Sequence, residues 1–231
     1  MGKEQVLHKQ IKVFTQFLMA FYDLYAKKRS AVRNSLTFFR MVFFYREFRW
    51  IQYCISQNAY HQCIRELRFI LDSIIQAYYV DERHHNSRMS CKLEIVKEVD
   101  RWGFGGKLIE QTNLRHKQDL KDLYGELSTY VHSTYRELTS SLPKKANQVA
   151  DLRFEADNEM KNLCIDLTNQ TIDAVFFVTL SLFPAIFGAR TKLITNIKPR
   201  LTESLKELEY KFTLKTLRET SSSQRAQDSN S

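Results

Sequence analysis

The alternation of apolar and polar residues between positions 58 and 85 predicts a long amphipathic helix. At about 100° per residue, the apolar side chains of this stretch fall in one arc. They are Cys63, Ile64, Leu67, Ile70, Leu71, Ile74, Ile75, Ala77 and Tyr78. The opposite side of the helix carries the polar residues His61, Arg65, Arg68, Asp72 and Gln76. Because glycine and proline are absent from the stretch, nothing in it interrupts a helical hydrogen-bond ladder.

Arg68 and Asp72 stand one turn apart on this helix, next to the apolar arc. Either the pair lies on a solvated face, where it would stabilise the fold by less than ~1 kcal/mol, or it is partly buried between helices. The second interpretation needs a neighbouring helix, and the pattern predicts one over 119–138. Its apolar stripe consists of Leu120, Leu123, Tyr124, Leu127, Val131, Thr134, Tyr135 and Leu138. Gly125, in the middle of that helix, predicts close approach of another helix.

The same helical spacing recurs along the rest of the chain. Further helices are predicted over 3–28, 34–56, 89–101, 151–190 and 200–219. In the third of these stretches, 89–101, we expect Leu93, Val96 and Val99 to face inward. The glycine-rich residues 102–107 predict a sharp connection, and the polar tail 220–231 predicts disorder. The sequence therefore predicts an all-α, antiparallel helical bundle that forms one domain over 1–219, with basic N-terminal helices over 3–56.

The stretch 34–56 is rich in aromatic residues that surround most of the predicted helix. They are Phe38, Phe39, Phe43, Phe44, Tyr45, Phe48, Trp50 and Tyr53, and Arg40, Arg46 and Arg49 are interleaved with them. A helix that is apolar on all sides is buried on several sides, so the stretch is expected to pack centrally or against a second copy of the chain. The alternative is a nucleic-acid face, on which the aromatics stack on bases and the arginines hold phosphates.

Composition agrees with a helical protein. The 231 residues are 43% hydrophobic and include only six glycines and three prolines, which favours long helices over many short strands. The net charge of +9 is uneven: ten basic and three acidic residues give +7 over 1–50, whereas 51–189 is slightly acidic. Basic ends of this kind indicate an anionic partner, such as RNA, an acidic protein or a membrane surface.

The cysteine pattern indicates neither a metal site nor a disulfide framework. Cys54, Cys63, Cys91 and Cys164 are scattered without C-x-x-C or zinc spacing, so we expect four reduced, buried thiols, no metal and no cofactor. The apolar run 174–189 is shorter than the about 20 residues of a spanning helix and contains Pro184. A membrane span is thus not favoured, and the absence of an apolar signal core at the start predicts a cytoplasmic protein.

Two motifs resemble a known group of proteins. The residues from Tyr124 to Ser133, with Ser128, Tyr130 and His132 among them, resemble the motif Y-x-x-L-S-x-Y-V-H-[PS]. This motif occurs in poorly characterised prokaryotic helical proteins related to the HEPN group. Their other hallmark is R-x-x-x-E on an earlier helix, and Arg68 to Asp72 resembles it with aspartate in place of glutamate. The resemblance covers about 58–136.

The resemblance implies a HEPN-like core over about 58–190, in which Arg68, Asp72 and His132 approach one another. It also implies a homodimer and supporting polar roles for the motif residues Ser128, Tyr130 and Tyr124, and for Arg136 after them. Many HEPN proteins are metal-independent ribonucleases whose signature is an arginine four to six residues before the histidine. This chain has Glu126, Leu127 and Ser128 there, which departs from that signature.

Two functional hypotheses follow. The favoured one is a helical module that acts through binding to RNA or to a protein partner, with Arg68, Asp72 and His132 as a structural network. The alternative is a metal-independent ribonuclease. In that case His132 would exchange a proton with a 2′-hydroxyl, Ser128 or Tyr130 would orient its imidazole, and Arg68 would stabilise the charge that develops on the phosphate.

Overall fold

The computed structural model describes residues 2–27, 32–102, 105–131 and 157–183. Seven α-helices and no β-strand lie within these ranges, so the all-α prediction is confirmed. The helices are α1 (Lys3–Lys27), α2 (Leu36–Ser56), α3 (Tyr60–Arg83), α4 (Met89–Trp102), α5 (Gly106–Gln111), α6 (Lys117–Val131) and α7 (Asn158–Leu182). The helix predicted over 200–219 and the tail 220–231 lie outside the described residues.

Helix α3 is the centre of the bundle. Helices α2, α4, α5, α6 and α7 all pack against it. The apolar arc predicted from the sequence is buried along its whole length, from Cys63 to Tyr78. The polar side is exposed at His61 and Arg65 but only 8% exposed at Gln76. The prediction of a two-faced helix is therefore confirmed, and the solvated-face interpretation is wrong for the C-terminal half of that polar side.

An aromatic cluster holds α1, α2 and α7 together. The ring of Phe14 in α1 meets Phe48 of α2 edge-on, with 5.0 Å between centroids. One turn further along α1, Phe17 meets Phe176 of α7 edge-on, with 4.6 Å between centroids. All four rings are almost fully buried. Edge-to-face pairs of this kind contribute about 0.5–1.5 kcal/mol beyond the burial of their area.

Helix α7 is buried rather than exposed. By length and composition it is the one helix among the described residues that could cross a membrane, with a mean hydropathy of 1.3 over 18 residues, yet 78% of that window is buried inside the protein. Polar contacts tie α7 to α1, since Lys3 Nζ lies 2.6 Å from Asp166 and Gln10 Nε2 donates to Asp173 over 3.1 Å. In both pairs the two residues are 163 positions apart in the sequence. Helices α1 and α7 therefore run in the same direction. Pro184, the expected site of a kink, lies outside the described residues.

Helix α2 buries only one of its faces. Its buried residues are Leu36, Thr37, Phe38, Met41, Phe44, Phe48, Ile51, Cys54 and Ile55. The opposite side exposes five large aromatics by 40–54%: Phe39, Phe43, Tyr45, Trp50 and Tyr53. Among the described residues, α1, α3 and α7 pack against α2 and leave this aromatic side exposed. The described part of the single chain therefore does not bury the helix on several sides, contrary to what the sequence led us to expect.

A buried carboxylate connects three helices. Asp81, near the end of α3, accepts hydrogen bonds at the start of α2 from Ser35 Oγ (2.7 Å), Leu36 N (3.1 Å) and Thr37 N (2.8 Å). From α4, the ammonium of Lys92 lies 2.7 Å from its other side, and both side chains are only 2% exposed. Asp81 thus supplies acceptors to the backbone N–H groups that the first turn of any helix leaves unpaired. Ser35, which caps Phe38 N, is held by the same carboxylate.

The inward position of Lys92 sets the orientation of α4. Lys92 and Val99 are both buried, whereas Leu93 is 47% exposed. The prediction that Leu93 faces inward is therefore wrong, because the buried ion pair turns the neighbouring position outward. Cys91 is exposed as well, which corrects the expectation of four buried thiols. Cys54, Cys63 and Cys164 are buried as expected.

Replacement of Asp81 by alanine tests the importance of this carboxylate. Asp81→Ala leaves a buried ammonium and three donors at the start of α2 without their acceptor, so we expect the free energy of unfolding to fall by roughly 3–5 kcal/mol. Urea denaturation followed by circular dichroism measures the change. The control is Glu94→Ala, which removes the exposed ion pair with Lys97 on the same helix and should cost less than ~1 kcal/mol. Equal losses in the two variants would contradict a central role for Asp81.

Candidate functional site

The structure brings Arg68, Asp72 and Tyr124 together at the contact between α3 and α6. The guanidinium of Arg68 donates to the hydroxyl of Tyr124 over 2.7 Å and lies 5.0 Å from the centroid of its ring. Its Nε is 3.7 Å from a carboxylate oxygen of Asp72, and the two charged side chains are 18% and 22% exposed. This Arg68–Asp72–Tyr124 cluster is therefore partly buried between helices, as the second interpretation of the sequence predicted.

Gly105, between α4 and α5, completes the cluster. Its backbone N–H donates a hydrogen bond to the carboxylate of Asp72. Its φ of 64° is in the left-handed region, and a Cβ at this position would lie 2.0 Å from the ring of Tyr124. Only glycine satisfies both conditions, since it alone adopts this φ readily and leaves room for the ring. The sharp connection predicted at the glycine-rich stretch is thus present at Gly105.

Burial changes the protonation of the cluster. It raises the pKa of Asp72 from 3.8 to about 6, and the charge of Arg68 and the hydrogen bond from Gly105 lower it by less. The arginine does not compensate for burial because its nearest nitrogen is 3.7 Å away, beyond a normal hydrogen bond. Asp72 is therefore a carboxyl group that changes its protonation state near pH 6, beside a guanidinium and a phenol, which is a property of acid–base groups.

The remaining motif residues are only partly placed. Ser128 donates its hydroxyl to the backbone carbonyl of Tyr124, one turn back on α6, over 2.7 Å. Tyr130 is half-buried against the core. His132 and Arg136 lie outside the described residues, so the expected approach of His132 to Arg68 and Asp72 stays a prediction. The described part of the motif supplies Tyr124 as the contact to Arg68.

Gly105, and not Gly125, is the glycine at a close contact in the described structure. A Cβ at Gly125 would meet nothing within 4 Å, so no helix within the described ranges approaches closely there, contrary to the prediction. The close approach occurs one residue earlier, where Tyr124 covers Gly105. The glycine that the packing requires is therefore in the connection between α4 and α5 and not in α6.

The three arginines proposed for RNA binding are separated by the structure. Arg40 faces a cavity of about 200 Å³ beside the cluster, together with Asp72, Gln76 and Asp100. Arg46 and Arg49 lie on the exposed face of α2 next to Trp50 and Tyr53. Those two rings stack with 5.4 Å between centroids and 27° between planes. The Arg46 side chain is 78% exposed and lies 3.3 Å from the carboxylate of Glu47.

Comparisons with other proteins leave the family open. The chain matches no family model, no curated protein and no solved structure. The resemblance to HEPN proteins therefore remains a prediction that rests on the two motifs. Within the described ranges, no group of three or more histidine, cysteine or acidic residues is placed to hold a metal ion.

Sequence reasoning missed the buried pair of Asp81 and Lys92. A signal for it exists, because Asp81 lies on the apolar side of α3, seven residues after Ile74 and four after Ala77. An acidic residue within an apolar arc indicates a buried and paired carboxylate. Lys92 carries a similar signal, since it falls on the same side of α4 as Val96 and Val99.

Alanine substitutions at two glycines test the assembly of the cluster. Gly105→Ala forces a left-handed φ on alanine and a Cβ into the ring of Tyr124, so we expect stability to fall by at least ~1–2 kcal/mol. The matched substitution Gly125→Ala, which meets open space in mid-helix, should raise stability by ~0.5–1 kcal/mol. Thermal or urea denaturation measures both. In a Tyr124→Ala background the cost of Gly105→Ala should shrink, and an unchanged cost there would refute the proposed clash.

Proposed function

We propose that the protein is a helical module that binds single-stranded RNA through the exposed face of α2. The observation that carries the proposal is the stacked pair of Trp50 and Tyr53, which are 45% and 54% exposed, with Arg46 and Arg49 beside them. Aromatic rings provide stacking surfaces for unpaired bases, and arginines pair with the phosphates between those bases. Large aromatics and cations that alternate on the solvent side of α2 match this kind of recognition.

The spacing on α2 extends this surface along the helix. Phe39, Phe43, Arg46, Trp50 and Tyr53 follow one another at intervals of four, three, four and three residues. Such residues share one side of an α-helix, and the first and last of them are roughly 21 Å apart along its axis. A stripe of this length favours an extended strand over a single nucleotide.

Charge favours an anionic partner for this face. Residues 1–50 carry a net charge of +7. Glu47 is the one acidic residue of α2, against three arginines, and it already contacts Arg46. Two copies of the chain that met through this face would bring like charges together, whereas a polyanion releases its counterions on binding. RNA is the nucleic acid that the HEPN resemblance suggests.

Substitutions on α2 test the proposal. We expect Trp50→Ala to weaken binding of a fluorescein-labelled oligo(U) at least about fivefold, because a stacked base contributes ~1–3 kcal/mol. The double variant Arg46→Ala, Arg49→Ala should also weaken binding and reduce its dependence on salt. Fluorescence anisotropy at several salt concentrations measures both effects, and a duplex of the same length should bind more weakly than the single strand.

The matched controls are Phe69→Ala and Arg65→Ala, which remove an exposed aromatic and an exposed arginine from α3. Both should bind RNA as the unmodified protein does. Equal losses at α2 and α3, or no saturable binding at low salt, would refute the proposal. If Trp50→Ala instead abolished self-association in sedimentation equilibrium without RNA, the α2 face would be the contact of a homodimer.

A metal-independent ribonuclease is the second candidate function. It is favoured by the cluster, in which a carboxyl group with a pKa of about 6 lies beside the guanidinium of Arg68. Arg68 is the cation that would stabilise phosphate charge, and Asp72 would exchange protons with His132 or a 2′-hydroxyl. The Arg68 guanidinium is already bound to Tyr124, so in this mechanism substrate would compete with the phenol.

Cleavage in EDTA tests this second candidate. Purified protein and a folded His132→Ala variant are incubated with structured and single-stranded RNA, and the products are separated on a gel. The ribonuclease hypothesis requires cleavage by the unmodified protein and a loss of at least about 100-fold in the variant, the usual contribution of an acid–base group. Intact RNA in both samples, together with binding, would leave the protein as a binding module.

A further inference from the structure

An open cavity of about 390 Å³ lies beside the buried pair of Asp81 and Lys92. Its walls come from the start of α2, from the residues that follow α3, from α4 and from the end of α7. The volume is within the range of about 300–1,000 Å³ that small-molecule sites occupy. None of the residues of the exposed α2 stripe lines the cavity.

The carboxylate of Asp81 is already fully used. Ser35, Leu36 and Thr37 donate three hydrogen bonds to it, and Lys92 provides a fourth donor. Each carboxylate oxygen therefore receives two of the four donors. A carboxylate accepts about four hydrogen bonds, so Asp81 has no capacity for a ligand and serves to fix Lys92.

The ammonium of Lys92 has N–H donors that Asp81 does not use. Its ammonium carries three protons, and within the described residues it contacts only Asp81. The residue is 1% exposed and lines the cavity. A buried N–H donor that lacks an acceptor destabilises the fold. The cavity has room for a ligand atom that would accept a hydrogen bond from Lys92.

Three further polar side chains line the same cavity. They are Asn34, His85 and Asn86, and none of the three forms a side-chain hydrogen bond within the part of the chain that the structure describes. Leu182 and Phe183, at the end of α7, provide an apolar wall. A cavity with several unused donors and an apolar wall matches the composition of small-molecule sites.

We propose that this cavity binds a small organic anion, a carboxylate or a phosphate monoester with an apolar body. The anionic group accepts hydrogen bonds from Lys92, Asn34 and Asn86, and the apolar body lies against Phe183. An anion fits the local charge because Lys92 offsets Asp81, and the start of α2 adds about half a positive charge. His85 adds a further donor at the mouth of the cavity.

The experiment uses phenyl phosphate as the probe, with the full chain, and follows the ring nitrogens of His85 and the ammonium of Lys92 by NMR. We expect saturable shifts at both residues. Phenol retains only the aromatic ring of the probe, and inorganic phosphate retains only its anionic group. Each should bind at least about tenfold more weakly than phenyl phosphate. Benzoate in place of phenyl phosphate distinguishes a preference for carboxylate from one for phosphate.

Variants locate the binding. Lys92→Met should weaken binding of phenyl phosphate at least about tenfold, because it removes a charge-assisted hydrogen bond, while Lys97→Met on the exposed side of α4 should leave it unchanged. Asn86→Ala leaves the pair of Asp81 and Lys92 intact and should weaken binding as well, which keeps the test valid if Lys92→Met does not fold. Trp50→Ala should have no effect, so this site and the proposed RNA face are tested separately.

Two results would overturn the proposal. One is the absence of saturable shifts with phenyl phosphate and with benzoate, which would show that Lys92 serves only to hold Asp81. The other is binding that is equally strong in Asn86→Ala and in folded Lys92→Met, which would place the probe elsewhere on the protein.

Discussion

The buried carboxylate of Asp81 is the interaction on which the arrangement of the central helices depends. It accepts hydrogen bonds from the start of α2 and from the ammonium of Lys92, so α2, α3 and α4 meet at a single charge. Hydrophobic burial holds these helices together but is non-directional. A desolvated charge is stable only with its donors in place, and it therefore fixes which residues of α2 and α4 lie opposite the end of α3.

Helix α3 carries a second polar centre on its other side. Arg68 and Asp72 meet Tyr124 of α6 and Gly105 from the preceding connection, while Asp81 lies more than two turns further along the helix. The two carboxylates differ in the donors around them. Asp81 has four donors within hydrogen-bond distance, whereas Asp72 has a distant guanidinium and one backbone N–H, so burial raises the pKa of Asp72. A carboxyl group of that kind is suited to proton exchange.

The surface of α2 and the cavity beside Lys92 offer two different kinds of recognition. The first is an extended, basic and aromatic stripe, which suits a flexible polyanion because stacking and charge need no fixed register. The second is an open cavity with a buried cation and two side-chain amides, which suits a small anion of defined shape. Both proposals depend on the same packing, since α2 presents its stripe outward only because its other face is buried against α1, α3 and α7.

The amino-acid sequence by itself determined the all-α class, the approximate position of α1 to α4, α6 and α7, and the buried arc of α3, because helical periodicity is a local property that each segment carries alone. It also placed Arg68 and Asp72 on one side of α3. Only the tertiary structure decided which charges are buried. Asp81 is 11 residues from Lys92 and 46 from Ser35 in the sequence, so only folding brings them together. Packing that involves α3 and α4 also separates Arg40 from Arg46 and Arg49. Likewise, only the position of Tyr124 shows that Gly105 is required and that Gly125 is not, since a close approach between distant segments depends on three-dimensional packing.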